Sequence, residues 1–194
     1  MKFRLALLIA ALACTGSAAH ADLIQNGGFE TGNFTDWGNP GYGDVTNVTQ
    51  DGLSAYEGQY YAQLFNSGRD LLAQNLTDTT GQQLTLTFYV ASVNITGFDG
   101  IFSTYWNGIL LAQIISGQTF GWTKYSYTVM STGADQLAFE GIQNYGSGSF
   151  WGIDGVSLTP PQAVPEPSSL VLLGTILGGL AGFAALRRRR KTFV

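Results

Sequence analysis

The chain of 194 residues contains a single cysteine and a single histidine, and both lie near its N-terminus. Cys14 and His20 fall within a segment that we expect to be cleaved off, so the remaining chain has neither side chain. Such a chain lacks the residues for a disulfide, for a Ser–His–Asp or Cys–His nucleophilic site, and for an ordinary zinc site. Its folded part is therefore expected to be held together by packing alone.

Positive charge is also scarce in the middle of the chain. Between Asp22 and Glu166 there are 13 acidic residues and only two basic ones, Arg69 and Lys124, which gives this segment a net charge of −11. The net charge of the whole chain is only −4, because the other basic residues lie at the two ends. Binding to nucleic acid or to anionic lipid depends on Lys and Arg, so this composition argues against both. An acidic surface is compatible with neutral polymers and with divalent cations.

The first 21 residues have the pattern of a secretory signal peptide. Lys2 and Arg4 precede an apolar run from Leu5 to Ala13, and Ala19-His20-Ala21 supplies small residues before Asp22. Cleavage before Cys14, as in a lipoprotein, is the alternative, but the sequence lacks an aliphatic residue three places before this cysteine. We therefore predict export through the Sec pathway.

The last thirty residues have three parts in a fixed order. A linker over residues 160–168 contains Val164-Pro165-Glu166-Pro167, an uncharged run follows over 169–186, and residues 187–194 are basic. A helix from Leu170 to Leu186 would be roughly 25 Å long, just short of the hydrocarbon core of about 30 Å, and the preceding serines together with snorkelling arginines can close the gap. We predict a transmembrane helix over 169–186, with the basic end in the cytoplasm and the preceding chain outside.

This ordered combination resembles the PEP-CTERM sorting signal of Gram-negative bacteria, a tail also labelled "ice-binding protein C-terminal domain". The resemblance implies that an exosortase recognises the motif formed by Val164, Pro165, Glu166 and Pro167. It also implies an inner-membrane anchor first, and a place at the cell surface or in the extracellular matrix after processing. A permanent single-pass anchor is the alternative.

Residues 22–159 have the length of one domain and a period of two almost throughout. The clearest strand runs from Gln82 to Val93, and Asn107-Gly108 between two apolar runs predicts a tight hairpin. Further strands are predicted within Asp22 to Phe34, Gln59 to Phe65, Ile101 to Trp106, Ile109 to Ile115, Phe120 to Met130, Gln136 to Gln143 and Phe150 to Leu158. The prediction is an all-β fold, an antiparallel β-sandwich of the jelly-roll type.

Two short motifs bracket this domain, Leu23-Ile24-Gln25-Asn26-Gly27-Gly28-Phe29-Glu30-Thr31-Gly32 near its start and Trp151-Gly152-Ile153-Asp154-Gly155-Val156-Ser157-Leu158 near its end. They resemble the galactose-binding-like jelly rolls that include many carbohydrate-binding modules. The resemblance implies one structural Ca²⁺ held by Glu30 and Asp154, with the Gly28 carbonyl nearby. Gln59, directly after Glu57-Gly58, could add a carbonyl. Calcium takes six to eight oxygens, so other ligands stay unassigned. Without calcium, Glu30 would cap a turn and Asp154 would accept backbone amides.

Sugar binding needs aromatic faces and amides rather than acid–base groups, and the domain is rich in both. The candidate sugar-binding residues lie at strand ends or on polar faces: Tyr61, Tyr89, Tyr105, Trp106, Asn107 and Tyr145, with Gln63 and Asn144 as additional amides. The alternative for every aromatic ring is packing in the core, which we expect for Trp37, Trp122 and Trp151.

The sequence therefore predicts an exported, non-catalytic module that binds carbohydrate, such as an exopolysaccharide. A structural matrix or adhesion protein without a specific ligand is the alternative. A glycosidase would need two carboxyl groups facing each other about 5–10 Å apart. Asp99 and Glu140 could form such a pair, but they could equally be solvated charges at strand edges.

Overall fold

A computed structural model of the chain describes residues 21–38, 41, 43–65, 69–95, 100–143 and 148–161. These residues lie within one compact unit, His20–Pro161. They contain no helix that is long and apolar enough to cross a membrane. The predicted signal peptide, the sorting motif and the predicted transmembrane helix lie outside the described residues, so the domain boundaries stay predictions.

The described residues form nine strands: β1 Gly43–Thr46, β2 Tyr61–Leu64, β3 Asp70–Thr77, β4 Gln83–Val93, β5 Gly100–Trp106, β6 Ile109–Ser116, β7 Phe120–Met130, β8 Ala134–Ile142 and β9 Phe150–Thr159. One sheet has the order β1-β2-β9-β4-β7 and the other the order β3-β8-β5-β6. Every pairing is antiparallel. The predicted all-β sandwich is confirmed.

Strand β4 shows how the sequence places the core between the sheets. Its inward side chains include Leu84, Leu86 and Phe88, which are completely buried, while alternate residues such as Thr85 are only half-buried. Phe88 lies edge-to-face on Phe139 from the opposite sheet, with ring centroids 5.0 Å apart. The period-two pattern of this strand therefore corresponds to one dry face and one outer face.

The predicted hairpin at Asn107-Gly108 connects β5 to β6. Asn107 has a φ of 51° and Gly108 a φ of 74°, the left-handed conformation that a two-residue turn of this kind requires. Both residues are among the few that adopt it without a large steric penalty.

Two parts of the strand prediction are wrong. The segment from Asp22 to Phe34 forms turns instead of a strand, with positive φ at Asn26 and Phe29. Strands β1 and β3 were not predicted. In β3 the buried positions alternate correctly, but Asp70 and Gln74 occupy two of them and Leu71 points outward, so the apolar pattern is hidden.

A loop over residues 47–60 covers part of the outer face of the five-stranded sheet. Leu53 and Ala55 from this loop pack on Ala91, Val93 and Phe150, side chains of β4 and β9. This second apolar cluster lies on the side of the sheet away from the main core, because Ala91 and Val93 alternate with the inward-facing Val90. The loop thereby determines which parts of this outer face stay open to a ligand.

Candidate binding sites

Asp154 lies in β9 on the outer face of the five-stranded sheet and is completely buried. Its Oδ2 accepts hydrogen bonds from the backbone N–H groups of Tyr56 at 2.8 Å and Glu57 at 3.3 Å, and its Oδ1 accepts one from Gly155 N–H at 2.7 Å. Burial raises the pKa of Asp154 to about 7, although these three amides oppose the rise. The carboxylate therefore fixes the loop to the last strand.

Glu30 fixes the same loop from the other side. Its Oε1 accepts hydrogen bonds from the backbone N–H groups of Gln59 and Tyr60, both at 2.9 Å. Gly58, which comes directly before Gln59, has a φ of 65°, and a Cβ there would lie 2.3 Å from Glu30 Oε1. Only glycine allows the loop to approach Glu30 so closely.

The structure brings these predicted ligands together around Gly28. A Cβ on this glycine would lie 3.7 Å from Glu30 Cγ, 3.8 Å from Glu57 Oε1 and 3.9 Å from Asp154 Oδ1. Glu57 was not predicted as a ligand, although it lies two residues before the predicted Gln59. Gln59 contributes a backbone amide to this arrangement, as a donor to Glu30.

The residues present fit a hard cation by their chemistry, since carboxylate and carbonyl oxygens are the ligands that calcium prefers. Of the two basic side chains in the described part, Arg69 pairs with Glu140 and Lys124 lies over the ring of Tyr89. Among the described residues, however, no three acidic side chains lie close enough together to hold a metal ion. A bound cation would therefore depend on additional backbone or water oxygens.

Two of the predicted sugar-binding rings are core residues. Tyr61 is completely buried, and its hydroxyl donates to the Val48 carbonyl at 3.2 Å. Its side chain faces outward from β2, but the loop over residues 47–60 covers it. Trp106 faces the core from β5, and its indole N–H donates to the Met130 carbonyl at 3.1 Å. Neither ring presents a face on which a sugar could stack.

Tyr89 forms an aromatic pair at the surface. Its ring stacks on that of Tyr56 with the centroids 3.5 Å apart, and Tyr56 is 42% exposed. Lys124 Nζ lies 6.0 Å from the centroid of the Tyr89 ring. An exposed ring supported by a second ring is the kind of platform on which a pyranose can stack.

Tyr105 and Asn107 are held by other protein groups. The Tyr105 hydroxyl donates to Glu140 Oε2 at 2.7 Å, and Arg69 binds both oxygens of the same buried carboxylate. The Arg69 hydrogen bonds lower the pKa of Glu140, which makes Glu140 a poor general acid. Asn107 Oδ1 accepts from Gln136 N–H at 2.8 Å, so its amide stabilises the hairpin. Asp99, Asn144 and Tyr145 lie outside the described residues.

A pocket of about 300 Å³ opens on the outer face of the five-stranded sheet. It is lined by Asp44, Gln50, Gln63, Phe65, Gly148, Ser149 and Phe150. Gln63 Nε2 donates to Gln50 Oε1 at 3.1 Å and to the Tyr61 hydroxyl at 2.9 Å, and Phe65 is 45% exposed. Of these lining residues only Gln63 was proposed from the sequence. Asp44 lies opposite Gln63 through β1–β2 pairing, for which no local sequence pattern exists.

The pocket and the Tyr56–Tyr89 pair lie on the same outer face. Gln63 pairs with Gly152 in β9, and Asp154, two residues further along β9, pairs with Tyr89. Side chains two residues apart on a strand point to the same side of the sheet. One ligand surface could therefore include both features.

No known protein family and no curated protein matches this sequence. Among solved structures, the fold is similar to that of "Family 16 Carbohydrate Binding Module-2", with a TM-score of 0.52 and 17% identity over 71% of this chain and 99% of that one. The CBM22-1 xylan-binding domain of Paenibacillus barcinonensis has a TM-score of 0.49 and 20% identity, covering 75% of this chain and 98% of its own. TmCBM61, solved with β-1,4-galactotriose, also has a TM-score of 0.49. It is 17% identical, and the match covers 72% of this chain and 99% of that one. The described part of the chain thus has the fold of a carbohydrate-binding module.

Proposed function

We propose that this domain is a non-catalytic module that binds a polysaccharide, in particular an exopolysaccharide, on the outer face of its five-stranded sheet. The observation that carries the proposal is the pocket in which the exposed ring of Phe65 lies beside the paired amides of Gln50 and Gln63. Likeness in fold to a carbohydrate-binding module supports it.

The pocket has the groups that sugar recognition uses. The Phe65 ring offers an apolar face to the C–H groups of a pyranose, while Gln50 and Asp44 offer hydrogen-bonding groups to its hydroxyls. The pocket is at the small end of the range for ligand sites, which suits one or two sugar units of a longer chain. The Tyr56–Tyr89 pair offers a second stacking surface further along such a chain.

Replacing Phe65 by alanine is expected to weaken polysaccharide binding about tenfold, because truncating an aromatic anchor typically removes more than about 1 kcal/mol. Residues 22–161 would be titrated with soluble polysaccharides, including the host's own exopolysaccharide. Leu71→Ala is the matched control, since Leu71 is similarly exposed, at 47%, but lies in β3 of the other sheet.

Equal affinities for F65A, L71A and the unchanged domain would place the sugar elsewhere. Failure of the unchanged domain to bind any polysaccharide would favour the alternative, a structural matrix or adhesion protein without a specific ligand.

We further propose that Glu30 and Asp154 hold one structural Ca²⁺, with the Gly28 carbonyl and Gln59 as neighbouring ligands. Such an ion would neutralise carboxylates from the N-terminal segment and the last strand, and so hold these two parts together. The proposal is supported by the positions of the Glu30 and Asp154 side chains, both of which lie beside Gly28.

For the termini, we propose a Sec signal peptide over residues 1–21 and a PEP-CTERM tail that an exosortase recognises. The module would be anchored in the inner membrane, with the domain outside, before it reaches the cell surface or matrix. Replacing Pro165 and Pro167 by alanine is expected to leave the full-length chain in the membrane fraction, because alanine, unlike proline, does not favour the extended conformation that we expect an exosortase to bind. Processing would be followed by immunoblotting. If this double variant is processed like the unchanged chain, the proposed role of the motif is refuted.

A further inference from the structure

Strand β6 differs from the other three edge strands of the sandwich. The edges are β1 and β7 in one sheet and β3 and β6 in the other. Each of the first three contains a charged residue: Asp44 in β1, Lys124 in β7 and Asp70 in β3. Strand β6, with the sequence ILLAQIIS, has none, and it contains no proline. Charges and prolines are the common means by which proteins keep edge strands from pairing.

Strand β6 also exposes apolar surface. Ile109 is 69% exposed, Leu110 49% and Ile115 62%, which makes three of the eight exposed large apolar side chains in the described part. The β-bulge near Thr104 and Tyr105 disturbs the pairing of β5 with the first part of β6. The register from Ala112 to Ser116 is regular, and no further strand of the described residues pairs with the other edge of β6.

The charge distribution indicates what covers this edge. Two copies of a domain with a net charge of −11 between Asp22 and Glu166 repel each other over most of their surfaces. The stretch from Gly100 to Thr123, which includes β6, has no charged residue, so two copies can approach there without like-charge contacts.

The sequence of β6 is also self-complementary. Its apolar residues lie on both sides of Ala112 and Gln113, so an antiparallel alignment of two copies places apolar side chains opposite apolar ones. A two-fold pairing of identical strands uses the same edge in both copies and closes after two.

We propose that two copies of this chain associate by antiparallel pairing of their β6 strands, which joins two four-stranded sheets into one sheet of eight strands. The inference is independent of the proposed sugar and calcium sites, since both lie on the five-stranded sheet.

The full chain in mild detergent is expected to have twice the protomer mass in analytical ultracentrifugation. Ile115→Lys should reduce it to one protomer, because the introduced charges would oppose each other across the pair. Leu71→Lys is the matched control, because Leu71 is 47% exposed on β3, the other edge of the same sheet. It should leave the dimer intact. Thermal unfolding of both variants would verify that they are folded.

Cross-linking tests the pairing without relying on a destabilising charge. The single substitutions Ala112→Cys, Gln113→Cys and Ile115→Cys, each combined with Cys14→Ser, should give covalent dimers on treatment with a short bis-maleimide. A cysteine at the exposed Thr128 of β7 should not. A monomeric full chain, a dimer that survives I115K but not L71K, or cross-linking through position 128 alone would each overturn the proposal.

Discussion

Replacing Gly27 by alanine is expected to lower the free energy of unfolding by about 3 kcal/mol, which corresponds to a fall in Tm of roughly 10 °C. A Cβ at this position would lie 1.9 Å from the carbonyl oxygen of Val156, a backbone atom of β9. Val156 N–H in turn donates to the Gly27 carbonyl at 3.0 Å. The added methyl group can be accommodated only if the N-terminal segment moves away from β9 and this hydrogen bond breaks.

The loss of stability extends to the core, because the same N-terminal segment contributes two core side chains, the buried Ile24 and the completely buried Phe29. Phe29 lies against Trp37 with ring centroids 5.7 Å apart. Moving the backbone at Gly27 would loosen this aromatic contact as well as the backbone pairing.

Gly121→Ala is the control for a general effect of losing a glycine. Gly121 lies in β7, and a Cβ there would have no atom within 4 Å. The variant should unfold within about 1 °C of the unchanged protein or slightly above it. Calorimetry or circular dichroism would decide, and similar melting of both variants would refute the close contact between Gly27 and β9.

The strands that could be predicted are those whose two faces differ in chemistry. In β4 the inward positions are apolar, as at Leu84 and Leu86, while Thr85 and Thr87 alternate with them. In β3 the side chains of Asp70 and Gln74 occupy buried positions, which depend on partners from distant parts of the chain. Gln74, for example, accepts from the backbone N–H of Gln25 and donates to its carbonyl. No local pattern reveals such partners.

The candidate sites divide in the same way. Glu30 and Asp154 could be proposed because they lie in motifs at the two ends of the domain. Glu57 could not, because its position depends on the path of the loop, whose amides reach Asp154 across 97 residues of sequence. Tyr61 was a sugar-binding candidate because it lies at a strand end or on a polar face, and in the structure the same loop buries it. Exposure on an outer sheet face depends on what crosses that face.

The stability of the calcium-free protein is expected to fall as the pH rises from about 4 to about 7, and to change little above that. The cause is Asp154, whose pKa burial raises from 3.8 to about 7, so the folded protein binds this proton more tightly than the unfolded chain does. The stabilisation is therefore complete below pH 4 and is lost as Asp154 ionises. The Tm of the unchanged protein and that of Asp154→Asn would be measured against pH in the presence of a chelator. The difference isolates this contribution, because the variant has no carboxyl group to titrate at position 154.

Calcium is expected to reverse this loss at pH 8, where the bound ion would compensate the ionised carboxylate. At one hundred times its Kd, a ligand that binds only the folded state stabilises it by about 2.7 kcal/mol. At pH 5 the gain should be smaller, because the ion must first displace the proton from Asp154. Asp154→Asn should lose the response to calcium, whereas Asp44→Asn, at an exposed position in the pocket, should keep it. An equal calcium response in both variants would exclude Asp154 as a ligand. A Tm that does not change between pH 4 and pH 7 in the presence of chelator would contradict the pH prediction, and would show that the Asp154 carboxylate is more hydrated than its burial indicates.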